Sequence, residues 1–107
     1  MISTHILDIS TGSPASAVRV TLEKKSGQNW ILLQEDRTNP DGRIAYSCPY
    51  EAGVYRLTFG VEEYLGRQGL KPFFLDTPIT FEVVDTGRKY HVPLLLSPFG
   101  MSTYRGS

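Results

Sequence analysis

The sequence predicts an all-β fold, an antiparallel sandwich of about eight short strands with one short helix. Short runs of alternating apolar and polar residues recur along the chain, as happens when one face of a strand meets a core and the other meets water. Clusters of Gly, Pro, Asn, Asp and Ser separate these runs at close spacing. The length of 107 residues suits one compact core. We therefore predict that residues 1–107 form a single domain.

The first two predicted strands differ in how clearly they alternate. Residues 4–9 are rich in apolar and β-branched side chains, carry His5 and stop at the turn-forming sequence STGSP. In the second strand Val18, Val20 and Leu22 alternate with polar residues, which is the period expected of a half-buried strand. This segment is the cleanest strand signal in the chain.

Two turns organise the next part of the chain. A turn at residues 26–29 leads into the large apolar side chains of residues 30–35, which we expect to pair back as a hairpin. The sequence TNPDG at residues 38–42 is the strongest turn signal, because Pro presets φ and Asp-Gly supplies a position with positive φ. Arg43 leaves this turn, and residues 44–47 form a short strand.

The second half of the chain contains one helix between strands. Residues 61–68 place apolar side chains at helical spacing, with two glutamates in the first turn where the helix dipole favours them and a glycine after the last turn. Alternation predicts strands at residues 53–59 and 79–83, on either side of this helix. Turn-forming residues at 85–87 and 97–100 separate two further predicted strands, at residues 90–96 and 102–105.

Composition restricts the partners and the compartment. Eleven basic and eleven acidic residues give a net charge of zero, so nothing draws the chain to nucleic acid or to an anionic membrane, and we predict neither as a partner. Cys48 is the single cysteine, so no intrachain disulfide is possible and a reducing compartment fits. The opening has no signal-peptide features, and no apolar run approaches the ~20 residues that span a bilayer. We predict a cytoplasmic protein.

Few side chains in this sequence suggest chemistry by themselves. His5 and His91 are the two histidines, and a half-buried, hydrogen-bonded imidazole is commoner than a catalytic one. For an arginine such as Arg43, the role of a solvated surface cation is commoner than a catalytic one. There is no phosphate loop and no nucleophile motif, and two histidines with the isolated Cys48 do not make a zinc site. By motif alone the chain would be a binding domain, and we expect no metal.

The end of the chain, YHVPLLLSPFGMSTYRGS at residues 90–107, is unusual because terminal residues are ordinarily frayed and tolerant of change. Together with the STHILD opening, the NPDGR turn and the YRLTF strand, it resembles the 5-hydroxyisourate hydrolase family of the transthyretin superfamily. The resemblance implies a transthyretin-like sandwich of two four-stranded sheets with a short helix. It also implies an active site at the matching motif positions, which are His5, Arg43, His91, Tyr104, Arg105, Gly106 and Ser107.

The family's reaction is the hydrolysis of 5-hydroxyisourate to 2-oxo-4-hydroxy-4-carboxy-5-ureidoimidazoline in urate degradation. Opening a cyclic amide requires a positioned water, a base and donors for the developing oxyanion. The resemblance implies that His91 and His5 share the base and orienting roles, with the assignment between them open, and that Arg43 contacts the carbonyl-rich ring. Ser107 supplies a terminal hydroxyl, and a covalent intermediate on it is the less favoured variant. No cofactor is expected.

The tail is also implied to bind substrate, together with His5 and Arg43. Tyr104 and Arg105 would contribute a phenol and a guanidinium to the cleft. Gly106 would let the backbone approach the ligand closely.

The resemblance further implies a homotetramer, a dimer of dimers joined at sheet edges with the active sites between dimers. Apolar residues near the end of the chain are compatible with this, because Tyr90, residues 94–96 and Phe99 offer more apolar surface than one small sandwich is expected to bury.

Two other functions are known for sandwiches of this kind, and the sequence favours hydrolysis over both. A transthyretin-like carrier would hold a small ligand in a mostly apolar channel, whereas His5, Arg43 and His91 would make this one polar. An adhesion or carbohydrate-binding sandwich would require an export signal, which the opening lacks.

Overall fold

The computed structural model describes residues 1–47 and 50–106, and these residues form nine strands and one helix. The predicted all-β sandwich with one short helix is confirmed. In chain order the elements are β1 Ile2–Asp8, β2 Ser13–Pro14, β3 Arg19–Ser26, β4 Asn29–Arg37, β5 Arg43–Tyr46, β6 Gly53–Phe59, α1 Val61–Arg67, β7 Thr77–Val83, β8 Tyr90–Ser97 and β9 Gly100–Thr103.

Two sheets make up the sandwich. One sheet runs β4-β3-β6-β7, and each neighbouring pair in it is antiparallel. The other is built on β1, which pairs on one side with β8 and on the other with β5 and the two-residue β2; β9 then pairs with the far side of β8. The extra strand β2 lies inside the stretch predicted as a turn, because two residues are too few to show alternation.

The pair β1 and β8 departs from the predicted antiparallel arrangement. These strands run parallel over seven residue pairs, from Ile2 opposite Tyr90 to Asp8 opposite Leu96. Alternation tells which face of a strand is buried but contains no information about the direction of its partner. Because β1 pairs with β5 on one side and with β8 on the other, it lies in the interior of its sheet.

The core lies between the two sheets and is filled by apolar residues of the alternating strands. Val18, Val20, Leu57 and Phe59 are all buried between the sheets, whereas Phe81 is partly buried and packs against them. The predicted hairpin of β3 and β4 is confirmed, with Ser26 opposite Asn29 across a two-residue loop.

The prediction of surplus apolar surface near the end of the chain is mostly wrong. Tyr90, Leu94 and Leu96 face the core and are buried, because β8 directs its even-numbered residues inward. Phe99, in the turn that follows, is 77% exposed. Most of the apolar residues that suggested self-association therefore stabilise the monomer instead.

The predicted helix is confirmed as α1. Its buried side chains are Val61, Tyr64 and Leu65, and Gln68 follows its last residue. The Tyr64 hydroxyl donates to the Asp8 carboxylate at 2.8 Å, and burial together with this bond raises the pKa of Tyr64 to about 12. This bond ties the helix to the end of β1. No helix in the described ranges is long and apolar enough to cross a bilayer.

Candidate active site

Three neighbouring strands bring three of the predicted catalytic side chains to one face of a sheet. The register places His5 on β1 opposite Arg43 on β5, and Ser3 on β1 opposite His91 on β8. The residues on either side of Ser3, His5 and His91 are buried in the core, so these three side chains point outward. Residues paired across strands share a face of the sheet. The fold therefore brings together His5, Arg43 and His91, which sequence spacing alone did not connect.

Arg43 owes its position to the turn before β5. The Asn39 side-chain oxygen accepts the backbone N–H groups of Asp41 and Arg43, both at 2.9 Å. Gly42 has a φ of 76°, and a Cβ added there would lie 2.6 Å from the Ile6 carbonyl oxygen. Glycine is therefore required at this position by both conformation and space. The predicted turn is confirmed. It places Arg43, which is exposed, opposite His5 on β1.

His91 is the histidine whose environment favours a neutral imidazole. It is half-buried, and burial lowers its pKa, with the positive charges of Arg43 and His5 lowering it further. A desolvated imidazole beside cations binds a proton less readily than one in water. Near neutral pH this ring is therefore available to accept a proton from a bound water.

A hydroxyl from the neighbouring strand fixes one nitrogen of this ring. The Ser3 Oγ and His91 Nδ1 lie 2.8 Å apart, in a partly buried hydrogen bond between residues 88 positions apart. Because Nδ1 is engaged by Ser3, Nε2 is the nitrogen left for a ligand.

The chain end folds back against the other side of the same histidine. The Gly106 N–H donates to the His91 carbonyl oxygen at 2.8 Å, in an isolated bridge beyond the end of β9. A Cβ added to Gly106 would lie 2.5 Å from His91 Cδ2. The glycine is thus required by its contact with the imidazole ring, which differs from the expected close approach to a ligand.

The two tail residues before Gly106 differ in their surroundings. Tyr104 is 57% exposed. The Arg105 guanidinium lies over the Tyr90 ring, 4.7 Å from its centre, where a cation–π contact stabilises it. The Tyr90 hydroxyl accepts the N–H groups of Asp85 and Val84, which lower the pKa of Tyr90. In this structure Arg105 therefore anchors the tail to the start of β8.

Ser107, a predicted catalytic residue, and Cys48, the single cysteine of the sequence, lie outside the described residues. Within residues 1–47 and 50–106 no three His, Cys, Asp or Glu side chains form a group that could hold a metal ion.

Two depressions flank His91. One, of about 430 Å³, lies on the outer face between β1, β5 and the start of β8; it is lined by Met1, Ser3, Thr4, Asn39, Arg43, Ile44, Ala45, Lys89 and His91. The other, of about 270 Å³, is mainly apolar and lies between β7 and the tail; its lining includes Phe81, Tyr90, Tyr104 and Arg105. The first has the volume of a small-molecule site and contains the cation and the histidine that chemistry needs.

Sequence reasoning missed three residues of this depression. Lys89 adds a second cation to the lining that contains Arg43, but as one of four lysines in the sequence, placed in a polar loop, it gave no signal. Asn39 shapes the turn, and the Asn-Pro-Asp-Gly sequence could have indicated this role. Ser3 stands two residues before His5, and its contact with His91 depends on the parallel register of β1 and β8.

Known proteins of this fold share its sequence over nearly the whole length. The model of the HIUase/Transthyretin family matches residues 2–106. A 5-hydroxyisourate hydrolase of Salmonella dublin is 44% identical over 110 residues, covering 100% of this chain and 81% of that protein.

Solved structures agree with the sequence matches. The structure of Klebsiella pneumoniae 5-hydroxyisourate hydrolase is 42% identical, with a TM-score of 0.87 and coverage of 99% of this chain and 98% of that one. Sea bream transthyretin, solved in complex with thyroxine, is 30% identical, with a TM-score of 0.92 and coverage of 98% and 93%. From its sequence matches and its fold, this chain belongs to the HIUase/Transthyretin family.

Proposed function

We propose that this chain hydrolyses 5-hydroxyisourate to 2-oxo-4-hydroxy-4-carboxy-5-ureidoimidazoline in urate degradation, with residues 1–107 acting as one hydrolase domain. The observation that carries the proposal is the outward cluster of His5, Arg43 and His91 on three adjacent strands. Its relatives named as hydrolases are 44% and 42% identical over essentially this whole chain.

The product named in this proposal identifies the bond that breaks. A new carboxyl group and a new ureido end arise when water adds to a ring amide and the carbon–nitrogen bond opens. We propose that His91 Nε2 takes the proton of the attacking water while Arg43 stabilises the oxyanion on the former carbonyl oxygen. The imidazolium then returns the proton to the departing nitrogen, so that the histidine ends the cycle neutral and no cofactor is consumed.

His5 and the tail complete this proposal. His5 lies on the same face beside Arg43, where it can orient the ring or the water. Tyr104, Arg105, Gly106 and Ser107 would border the substrate from the tail, and the packing of Arg105 on Tyr90 would hold the tail in place. A covalent route through Ser107 is not needed, because a water and a neutral histidine supply the nucleophile and the base.

The polar lining of the depression favours hydrolysis over simple carriage of a ligand. A carrier needs only shape and apolar area, whereas this depression holds Arg43, Lys89 and His91. A cation pair beside a neutral imidazole suits a carbonyl-rich ring that acquires negative charge during reaction.

The test is a coupled assay in which urate oxidase generates 5-hydroxyisourate in place and the decay of its ultraviolet band is timed. Addition of this protein is expected to shorten that decay in proportion to its concentration, and the absence of any acceleration would refute the function. Binding of the substrate without acceleration would favour the carrier.

We further propose that the protein is a cytoplasmic homotetramer, a dimer of dimers. The one cysteine in the sequence suits a reducing compartment. In the described part of the chain β7 and β9 each pair with one strand, so each leaves a sheet edge for a second copy. Light scattering coupled to size-exclusion chromatography tests the assembly, and a monomeric mass at assay concentrations would refute it.

A further inference from the structure

We propose that Ser3 is a positioning residue that holds His91 in the tautomer with hydrogen on Nδ1, leaving the Nε2 lone pair to face the reacting water. The inference rests on the proposed function, since it assigns the base within that reaction. It also assigns a role to a second side chain of the STHILD opening, beside His5.

The backbone around Ser3 gives its hydroxyl little freedom. Ser3 lies in the middle of three hydrogen-bonded strands, opposite Ala45 on one side and His91 on the other. Side chains opposite each other across strands are near neighbours. The bond of 2.8 Å from Ser3 Oγ to His91 Nδ1 therefore forms without ordering any flexible segment.

The other edge of the ring is held by the tail. Gly106 packs so close to His91 that an added Cβ would approach Cδ2 at 2.5 Å and Cγ at 3.2 Å. A half-turn of the imidazole about its Cβ–Cγ bond would exchange Nδ1 and Cδ2, placing carbon against the serine hydroxyl. The orientation in which Nδ1 meets Ser3 is the one that keeps the hydrogen bond.

Electrostatics decides which atom carries the proton. A serine hydroxyl can donate or accept, so the distance alone permits either tautomer. Arg43 and Lys89 line the depression that His91 also lines, and positive charge there favours a lone pair over an N–H group on the nitrogen facing it. The Nδ1–H group then donates to Ser3, and the same bond persists when the ring becomes an imidazolium.

Charged and titratable groups reach this region from each element packed around His91. They are His5 on β1, Arg43 on β5, Lys89 before β8, Glu82 on β7 and Arg105 in the tail. Arg43 and His5 act with burial to keep the ring neutral, so its tautomer determines whether it can serve as a base.

The direct test is nitrogen-15 NMR of the histidine side chains in the intact native protein, where two rings give few signals to assign. We expect His91 to show a protonated Nδ1 and an unprotonated Nε2 above the pH at which it titrates. In Ser3→Ala we expect this preference to weaken. A native ring protonated on Nε2, or an unchanged tautomer in Ser3→Ala, would overturn the proposal.

Kinetics give a second readout that a purely structural role would not produce. We expect Ser3→Ala to lose about tenfold in kcat with little change in KM, as for the loss of one hydrogen bond to a reacting group. Because the serine accepts from the imidazolium, its loss lowers the pKa of His91, and the acidic limb of the kcat profile moves to lower pH. If Ser3 instead donated to a lone pair on Nδ1, the limb would move to higher pH, which would refute the assignment.

Two further variants control this measurement. Ser3→Thr keeps the hydroxyl and is expected to retain most of the rate and the native limb, whereas a Thr variant as slow as the Ala variant would count against the hydrogen bond. Ser13→Ala, at an exposed position in β2 near the far end of β1, is expected to leave both unchanged. Failure of the native protein to hydrolyse 5-hydroxyisourate would refute the proposed function, while the tautomer seen by NMR would still decide the role of Ser3.

Discussion

Replacing Gly106 with alanine tests whether the tail acts on His91. An added Cβ would lie 2.5 Å from Cδ2, whereas carbon atoms in contact prefer about 3.5 Å or more, so the ring or the tail must move by roughly 1 Å. A misplacement of about 1 Å in a reacting group costs on the order of a hundredfold in rate. The fold should lose little, because the change threatens one backbone hydrogen bond worth about 1 kcal/mol.

The assay for Gly106→Ala is decay of enzymatically generated 5-hydroxyisourate, with circular dichroism and thermal unfolding measured on the same sample. Gly66→Ala is the matched control, since an alanine Cβ there would meet nothing within 4 Å and Gly66 lies in α1. We expect native activity in the control and equal or slightly higher stability, because alanine favours helix by up to about 1 kcal/mol. Native activity in Gly106→Ala would refute the idea that tail packing positions His91.

Four other predictions address the rest of the site. His91→Asn and Arg43→Glu should each retain the far-ultraviolet spectrum and lose on the order of a hundredfold in kcat/KM, as for a general base or an oxyanion partner; near-native rates in both would contradict the site. Activity should fall on the acidic side as His91 takes up a proton. Because burial, Arg43 and His5 lower its pKa, the midpoint should lie below the ~6.5 of a free histidine; a midpoint above that value would argue against His91. Dialysis against a strong chelator should leave the rate unchanged, and a loss restored by zinc would show that a metal takes part. Deleting residues 104–107 should abolish most activity in a protein that still folds, and so should an affinity tag fused after them, whereas a tag at the other end should be tolerated.

Apart from the two-residue β2, the strands were predictable from sequence because the evidence for each is local. In β6, Tyr55, Leu57 and Phe59 alternate with half-buried residues, and the structure buries all three. In β7 the same alternation was visible from Ile79, and the strand in fact begins at Thr77 and includes Pro78. Proline has no N–H to donate, and it is tolerated here because β7 lies at the edge of its sheet.

Partner choice between strands was not predictable in the same way. The apolar residues and flanking turns of β1 and β8 indicated two strands but not that they would pair, nor that they would run parallel. The contact between Ser3 and His91 depends on that pairing. A family resemblance could therefore identify the two histidines and Arg43, whereas the residue that fixes His91 became visible only with the register.

The two halves of the site depend on the fold in different ways. Arg43 is presented by a turn whose hydrogen bonds to Asn39 span four residues, so its position is set locally and can form early. The bond of Ser3 to His91 joins residues 88 positions apart, and so long a loop closes only when the sandwich around it has formed. The base is therefore oriented last, and partial unfolding of the β1–β8 pair should remove activity before the turn at Arg43 is lost. Hydrogen exchange at the β8 amides, followed alongside the rate in mild denaturant, would test this order, and activity that outlasted protection of β8 would contradict it.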